Sequence, residues 1–411
     1  MNVVSQRRIL LADADAFYVA VARLVDPEGA GRAPLLIVGG GADRRGVVTS
    51  ASYEARAYGV HSAMPMARAV RLCPGATVVP VPWEACAQKS AQIGDTLVAF
   101  TPSVERASSD EFYLDLSGTE RLYHDEPLTA TAGRIRQAVC DATGLSVSIG
   151  GGTSKLVAKL AAGVAKPRPG TLGDGVFVVE PGAEGEFMRR FSLADLPLVG
   201  PKFQERLALL GLHSVDDVLA HEQGRLNKWL GEREGAWLHS RVRGLDGSPV
   251  QPREIPQSLS RDETFSRDIS DDADLTAQLL RLADRATADL RDGGLVARTV
   301  TVKLRDWDFT TRQASRTLAT PVRSDRAVYT VACKLLAKLR AARRVPARLL
   351  GVSLSHLVPA DAKSQLSLFD SEASGTVETD RDRAIARVMD DVRDRYGPDA
   401  VARARARRET P

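Results

Sequence analysis

The order of hydrophobic periods between residues 258 and 357 constrains this chain most. A strand is followed by apolar residues at helical spacing over 271–292, strands over 297–305 and 309–317, a second helical stretch over 324–341 and a closing strand over 348–356. Spacing of three and four marks a helix with one buried face, and strict alternation marks a strand with one. The resulting β-α-β-β-α-β unit is a compact domain in itself. In "RTVTVKLR", Thr299, Thr301, Lys303 and Arg305 share one face, and Val300, Val302 and Leu304 share the other. The polar face suits contact with a nucleic-acid backbone without base reading, or is simply solvated.

The chain has 411 residues, too many for one core, so two to four domains are expected. Its 44% hydrophobic and 26% charged residues fit a soluble globular protein, and no apolar run is long enough to cross a bilayer. Asp13 and Asp15 break the apolar run after the N-terminal arginines, which argues against a signal peptide. Cys73, Cys86, Cys140 and Cys333 lie far apart without a C-x-x-C pair. Neither a disulfide framework nor a cysteine zinc site is expected, and a reducing cytoplasm is. A formal net charge of +4 permits a polyanionic partner without demanding one.

Upstream, residues 9–12 read as a buried strand, residues 17–24 as a helix and "PLLIVGGG" as another buried strand. "GVVTSASYEARAYGV" runs from strand into helix with Ser52 as N-cap, and residues 85–100 are helical. "SVERASSDEFYLDLSG" reads as strand with a Ser-Gly turn at its end. "LSVSIGGGTSKLVAKLAAGVAKPRPG" reads as strand, glycine turn and a helix halted by Pro167 and Pro169. Short helices begin near residue 174, followed by a linker containing Pro249, Pro252 and Pro256. After Leu357 the pattern fades. Residues 359–411 are expected to be largely without structure, apart from one helical face of Ile385, Val388, Met389, Val392 and Tyr396.

Acids are the informative residues. Asp13 and Asp15 end one apolar run, and Asp110 and Glu111 stand together at the head of another. Hard cations such as Mg²⁺ take oxygen ligands, usually one or two carboxylates plus substrate phosphates. Carboxylates gathered without lysine neighbours would repel one another unless a cation lay between them. On pattern alone the alternative stays open, with Asp13 and Asp15 capping a helix and the other two acids solvated. Tyr53 and Arg56 share one helix face, and Lys166 ends another helix beside a proline turn. Arginine forks and lysine point charges are the usual phosphate clamps.

"DADAFY", "RGVVTSASYEARAYGVHSAMPMARAVRLCP", "SSDEFYLDLSG" and "SKLVAKLAAGVAKPRPG" occur in an order and spacing that resembles the Y family of DNA polymerases, in its bacterial DNA polymerase IV branch. The likeness covers roughly residues 8–357. It implies an α+β, right-hand polymerase with palm, small fingers, helical thumb and a little finger built as the β-α-β-β-α-β unit. The implied parts are palm 1–17 and 80–173, fingers 18–79, thumb 174–248, linker 249–257, little finger 258–357 and a flexible tail 358–411. The resemblance implies that Asp13, Asp110 and Glu111, with the backbone carbonyl of Ala14, hold two Mg²⁺ ions. Tyr53, Arg56 and Lys166 would grip the triphosphate, Tyr18 would be the steric gate against ribose, and Ser50 and Ala51 would lie over the incoming base. Gly200 and Lys202, in "LPLVGPKFQERLALLGL", would approach DNA through a helix-hairpin-helix; an ordinary helical hairpin is the plainer alternative. Thr299, Lys303 and Arg305 would touch DNA from the little finger. Gln365, Leu366, Leu368 and Phe369, in "QLSLFD", resemble the peptide with which bacterial polymerases bind the sliding clamp. Implied partners are primer-template DNA, dNTP and the clamp, with no membrane and a monomeric enzyme.

Four positions depart from the family pattern. Ala22 replaces glutamate, Ser109 an aliphatic residue, Phe112 an alanine and Leu198 a glycine of the thumb hairpin. None removes an implied ligand, but Phe112 needs room behind its strand. The implied activity is low-fidelity, template-directed DNA synthesis past damaged bases. A non-catalytic clamp-binding scaffold on the same fold is one rival, and a nucleotide cyclase on a similar palm is another.

Overall fold

The structure is a computed structural model, and it describes residues 7–167, 174–252, 255–362, 378–397 and 400–403. The chain divides into two compact units. One holds residues 1–42 and 46–253, the other residues 43–45 and 254–411.

The first unit opens with β1 (Ile9–Ala14), α1 (Phe17–Val25), β2 (Leu36–Gly39), β3 (Val48–Ala51), α2 (Tyr53–Arg56), α3 (Met66–Leu72), β4 (Thr77–Val79) and α4 (Trp83–Val98). It continues with β5 (Val104–Arg106), β6 (Glu111–Asp115), α5 (Leu128–Thr143), β7 (Val147–Gly152), α6 (Lys155–Ala165) and β8 (Val176–Val178). Strands β2, β3 and β4 form a small sheet of order β3-β2-β4. The larger sheet runs β5-β6-β1-β7-β8, with β1 antiparallel to both neighbours. Its central strand is buried along its whole length, which is why a run of apolar residues ending in an acid suits it. Ser52 caps α2 as expected, its hydroxyl accepting from the Ala55 N–H at 3.3 Å.

Two local expectations change. Residues 104–115 form a hairpin of β5 and β6 rather than one strand, with Val104 opposite Leu114. The polar Ala107–Asp110 segment cannot pair on both sides and turns instead. The glycines after Ile149 lie in β7 and not in a turn. A Cβ built on Gly150 would fall 1.9 Å from the Ala162 nitrogen and 2.2 Å from the Ala158 oxygen, so α6 lies flush on the sheet only because none is there. Phe112 finds its room over another glycine, with its ring 3.4 Å from where a Cβ on Gly94 would be.

The unit closes with α7 (Glu184–Met188), α8 (Pro201–Leu209), α9 (Val215–Leu219), α10 (Gln223–Leu230) and α11 (Glu232–Arg241), packed around Leu193, Leu207, Val218, Leu226 and Leu238. Leu198, in the turn before α8, sits at φ 72 and is 80% exposed. A non-glycine residue in the left-handed region costs about 1–2 kcal/mol, and its exposed side chain offers little packing in return. Leu198→Gly is expected to raise stability by up to about 1 kcal/mol in chemical denaturation, since glycine's extra unfolded-state entropy offsets part of the relief. A loss of stability would show that the leucine packs usefully.

The second unit follows the expected order: β9 (Ser258–Ile269), α12 (Asp272–Asp292), β10 (Leu295–Asp306), β11 (Thr311–Val322), α13 (Asp325–Ala342) and β12 (Ala347–Pro359). Its antiparallel sheet runs β11-β10-β12-β9, and Val300, Val302 and Leu304 are buried in one core with residues of both helices. Within the segment after residue 358, the stretch that carries the anticipated helical face forms α14 (Asp380–Tyr396), a longer element than one face in an otherwise unstructured tail. The anticipated apolar face is only partly used: Met389 is buried, while Val388 and Tyr396 are exposed. Charge supplies the attachment. Arg291 meets Asp390 at 2.5 Å, Arg393 meets Asp284 at 2.6 Å and Arg403 meets Asp325 at 2.5 Å. Glu378 accepts from the backbone N–H groups of Arg323 and Ser324 at 2.9 and 2.5 Å.

Removing one partner of a buried pair strands the other, at about 3–5 kcal/mol. Arg393→Ala should therefore destabilise the second unit by about 3 kcal/mol, read as an earlier denaturation transition. Asp284→Leu combined with Arg393→Met should recover most of that loss. Equal losses in both variants would mean the pair is not what holds α14.

Candidate active site

The two sequence-predicted acidic positions meet at the ends of neighbouring strands. Asp13, one residue before the end of β1, pairs in register with Glu111 at the head of β6 and with Ser148 on β7. Directly opposed residues project to the same face of a sheet. Asp110 sits in the β5–β6 turn, where its backbone carbonyl accepts from the Ala14 N–H at 2.9 Å. The Ser108 hydroxyl donates to Asp110 Oδ1 at 2.6 Å and accepts from the Glu111 N–H at 3.1 Å, so the turn is tied down from within. Asp15 has another task. It accepts from the hydroxyls of Ser146 and Ser148, each at 2.8 Å, and thereby pins β1 to β7.

Lysines stand among these acids, a neighbourhood the sequence alone did not reveal. Lys166 Nζ lies 2.8 Å from Asp13 Oδ1, and Lys159 Nζ lies 2.9 and 2.7 Å from the two oxygens of Glu111. Both belong to α6 or its C-terminal end, two helical turns apart and so on one face. Among the described residues no three acidic, histidine or cysteine side chains are gathered closely enough to hold a metal ion. The acids lie adjacent in the fold, and Asp13 and Glu111 each meet an ammonium group. Lys159 was missed in the sequence, although its spacing of seven from Lys166 places it on the same helix face.

Burial pushes the Asp13 carboxyl up to about 6, against the pull of Lys166, and the charges of Glu111 and Asp110 push the same way. The folded chain thus holds this proton more tightly than the unfolded chain, whose reference value is 3.8. The associated stability is full below that value and is lost as pH rises through about 6. In EDTA, Asp13→Asn should be more stable than wild type at about pH 8 by about 1–3 kcal/mol. That gain should vanish by about pH 4. A gain that survives acidification would contradict burial as the cause.

Further sequence-predicted residues come from α1, α2 and β3. The Tyr53 hydroxyl is buried and has no hydrogen-bond partner among the described residues. Burial, then the charge of Asp15, pushes this phenol up to about 12, with Arg56 opposing and Asp13 assisting. The Arg56 guanidinium lies 4.9 Å from the Tyr53 ring centroid, and its Nε donates to the Ala51 carbonyl at 2.9 Å. Ser50 is buried on β3. Tyr18, in the first turn of α1, has its ring edge-on to Phe17 at 5.2 Å and to Trp83 at 6.1 Å. A buried phenol donor that feels the charges of Asp15 and Asp13, with a guanidinium against its ring, forms with those carboxylates a donor set that fits a polyphosphate carried with a hard cation.

The remaining predicted residues fall each within its own unit. Gly200 caps α8 beside the exposed Lys202, with open space where a Cβ would be. On β10 the polar face is already occupied. Lys303 pairs with Asp262 at 2.5 Å, and Arg305 donates to the Thr311 hydroxyl at 2.9 Å. Thr299 is buried, its hydroxyl bonded to Thr317 and His356 at 2.9 Å each. It serves the sheet instead of presenting a donor outward, because its neighbours on β11 and β12 close over it. Gln365, Leu366, Leu368 and Phe369 lie outside the described residues.

Residues 12–163 match the impB/mucB/samB family, residues 256–368 that family's C-terminal domain and residues 194–246 the thumb domain of DNA polymerase-iota. Over 360 residues the chain is 38% identical to a protein named DNA polymerase IV from Halorhodospira halophila, covering 88% of this chain and 98% of that one. Over 397 residues it is 34% identical to a DNA polymerase IV from Desulfatibacillum aliphaticivorans, covering 97% and 96%. Among solved structures, a Y-family DNA polymerase chimera of Dbh and Dpo4 superposes with a TM-score of 0.76 at 23% identity, over 86% of this chain and 99% of that one. The insertion ternary complex of Dbh DNA polymerase does so with a TM-score of 0.60 at the same identity and coverage. The chain belongs to the impB/mucB/samB family, the Y-family DNA polymerases, and has their α+β right-hand fold. Within it the chain falls in the bacterial DNA polymerase IV branch and is a DNA-directed DNA polymerase.

Proposed function

We propose that this chain inserts dNTPs opposite damaged and undamaged template with low fidelity, by a two-metal mechanism, in the cytoplasm. The observation that carries the reading is the convergence of Asp13 and Glu111 on facing strand ends, with Lys166 and the unpartnered Tyr53 hydroxyl beside them. Residues 1–17 and 80–173 act as palm, 18–79 as fingers, 174–248 as thumb, 249–257 as linker and 258–357 as little finger.

Asp13, Asp110, Glu111 and the Ala14 carbonyl are the groups that would hold two Mg²⁺ ions. Bound there, such ions activate the primer 3′-hydroxyl and offset the charge on the leaving pyrophosphate. The chain itself does the rest. Before substrate arrives, Lys159 and Lys166 balance Glu111 and Asp13. Lys166 and Arg56 then bind triphosphate oxygens, and the Tyr53 hydroxyl gains the acceptor it lacks. Ser50 and Ala51 are small and leave the base loosely held, so shape selects weakly. Tyr18 fills the space a ribose 2′-hydroxyl would need. Gly200 and Lys202 approach the DNA backbone. Lys303 and Arg305 can do so only by exchanging the partners they have. Residues 365–369 tether the monomeric enzyme to the sliding clamp and raise its local concentration at the primer end.

Primer extension on a primed template with Mg²⁺ tests this directly. Asp110→Ala should lose on the order of a thousandfold in kcat/KM, the scale on which a single electrostatic stabiliser acts. Lys166→Ala should raise the dNTP KM about tenfold or more, the worth of a charge-assisted hydrogen bond. Equal extension by wild type and Asp110→Ala would reject catalysis at this site and favour the scaffold reading. Nucleotide turnover without a primer would favour the cyclase reading.

A further inference from the structure

We propose that Trp83 is a positioning residue for sugar selection: its indole holds the Tyr18 ring in the place from which it excludes a 2′-hydroxyl. The inference rests on the reading of Tyr18 as the gate and adds the part that keeps the gate shut.

A gate ring excludes a hydroxyl only while it stays put. Tyr18 follows Ala16, which turns the chain from β1 into α1 in the left-handed region at φ 44. Two other rings pack edge-on against its ring. One is Phe17, buried in the core of the first unit. The other is Trp83, at 76° and 67% exposed. Edge-to-face packing is a favoured geometry for aromatic rings and resists rotation of either. Without the indole, the outer side of Tyr18 would face solvent.

The backbone beneath Trp83 is stiff. Pro82 has φ −80 and ψ 74, and the Trp83 N–H donates to the Val81 carbonyl at 3.0 Å. These are the marks of an inverse γ-turn, here centred on a proline whose ring also fixes φ. Val81 is packed against two separate hydrophobic clusters, which anchors the corner. Trp83 is thus presented from a fixed point at the first residue of α4. A large indole kept two-thirds in water contributes little to the core, and the ring contact it makes is with Tyr18.

The test is single-nucleotide insertion with matched dNTP and rNTP, reported as the ratio of the two kcat/KM values. Tyr18→Ala should collapse the preference for deoxyribose. Trp83→Ala should lower it by about three- to tenfold, the range one aromatic pair can supply, with Trp83→Phe restoring most of it. Adding Trp83→Ala to Tyr18→Ala should change the ratio no further, since the two act through one ring. An unchanged ratio in Trp83→Ala, with Tyr18→Ala effective, would overturn this inference alone. It would mean the indole faces outward for some other contact. Independent, multiplying effects of the two substitutions would also overturn it. An unchanged ratio in Tyr18→Ala would remove the gate reading itself, and this inference with it. Trp83 is 67% exposed, so its variants should keep the fold, and a thermal melt of each checks it.

Discussion

Negative charge has to be kept at the end of a buried sheet, and the first unit is arranged around that need. Asp13 and Glu111 face each other across β1 and β6 where the apolar stretch of both strands begins or ends. Neither is fully in water, and the raised Asp13 carboxyl registers the cost. Lys166 and Lys159 meet that cost from α6. Surface ion pairs contribute little to stability, but a partly buried carboxylate without a counter-charge is expensive. The lysines therefore do more to make the acids tolerable than to strengthen the fold.

That arrangement depends on how closely α6 approaches the sheet. The missing side chain at Gly150 allows the helix backbone to lie on β7, which brings Lys159 and Lys166 within reach of the strand ends. Asp15 works toward the same end by bonding Ser146 and Ser148. Gly94 makes space for Phe112, so the bulky residue after the acid pair joins the core without displacing the strand. Substitutions that look peripheral in the sequence thus act on the placement of two carboxylates. The Trp83 corner and the Ala16 turn likewise both bear on where the Tyr18 ring rests.

Much of this was legible beforehand. Alternation and helical spacing gave the order of strands and helices from β9 to β12, because each of these elements has one clearly apolar face. The acids were legible because charges at the margin of an apolar run are unusual. Lys159 was not, since a lysine on a helix is ordinarily solvated and only the three-dimensional approach of α6 reveals its partner. The role of the glycines in β7 was misread for a similar reason: a glycine run signals a turn locally, while here it records close packing against a distant helix. Helix α14 was underestimated because arginine–aspartate pairs, rather than apolar burial, carry its attachment. Thr299 shared a face with basic residues in the pattern, yet its neighbours enclose it.

The proposed function rests on Asp13, Asp110 and Glu111 being the groups that would hold divalent ions when substrate is bound. Mn²⁺ titration followed by electron paramagnetic resonance measures it most directly, using primer-template ended with a dideoxynucleotide together with the matching dNTP. The account expects about two ions per chain in that complex, weaker binding without dNTP, and loss of binding in Asp13→Asn and Glu111→Gln. Mn²⁺ binding of unchanged strength and number in both variants would contradict it.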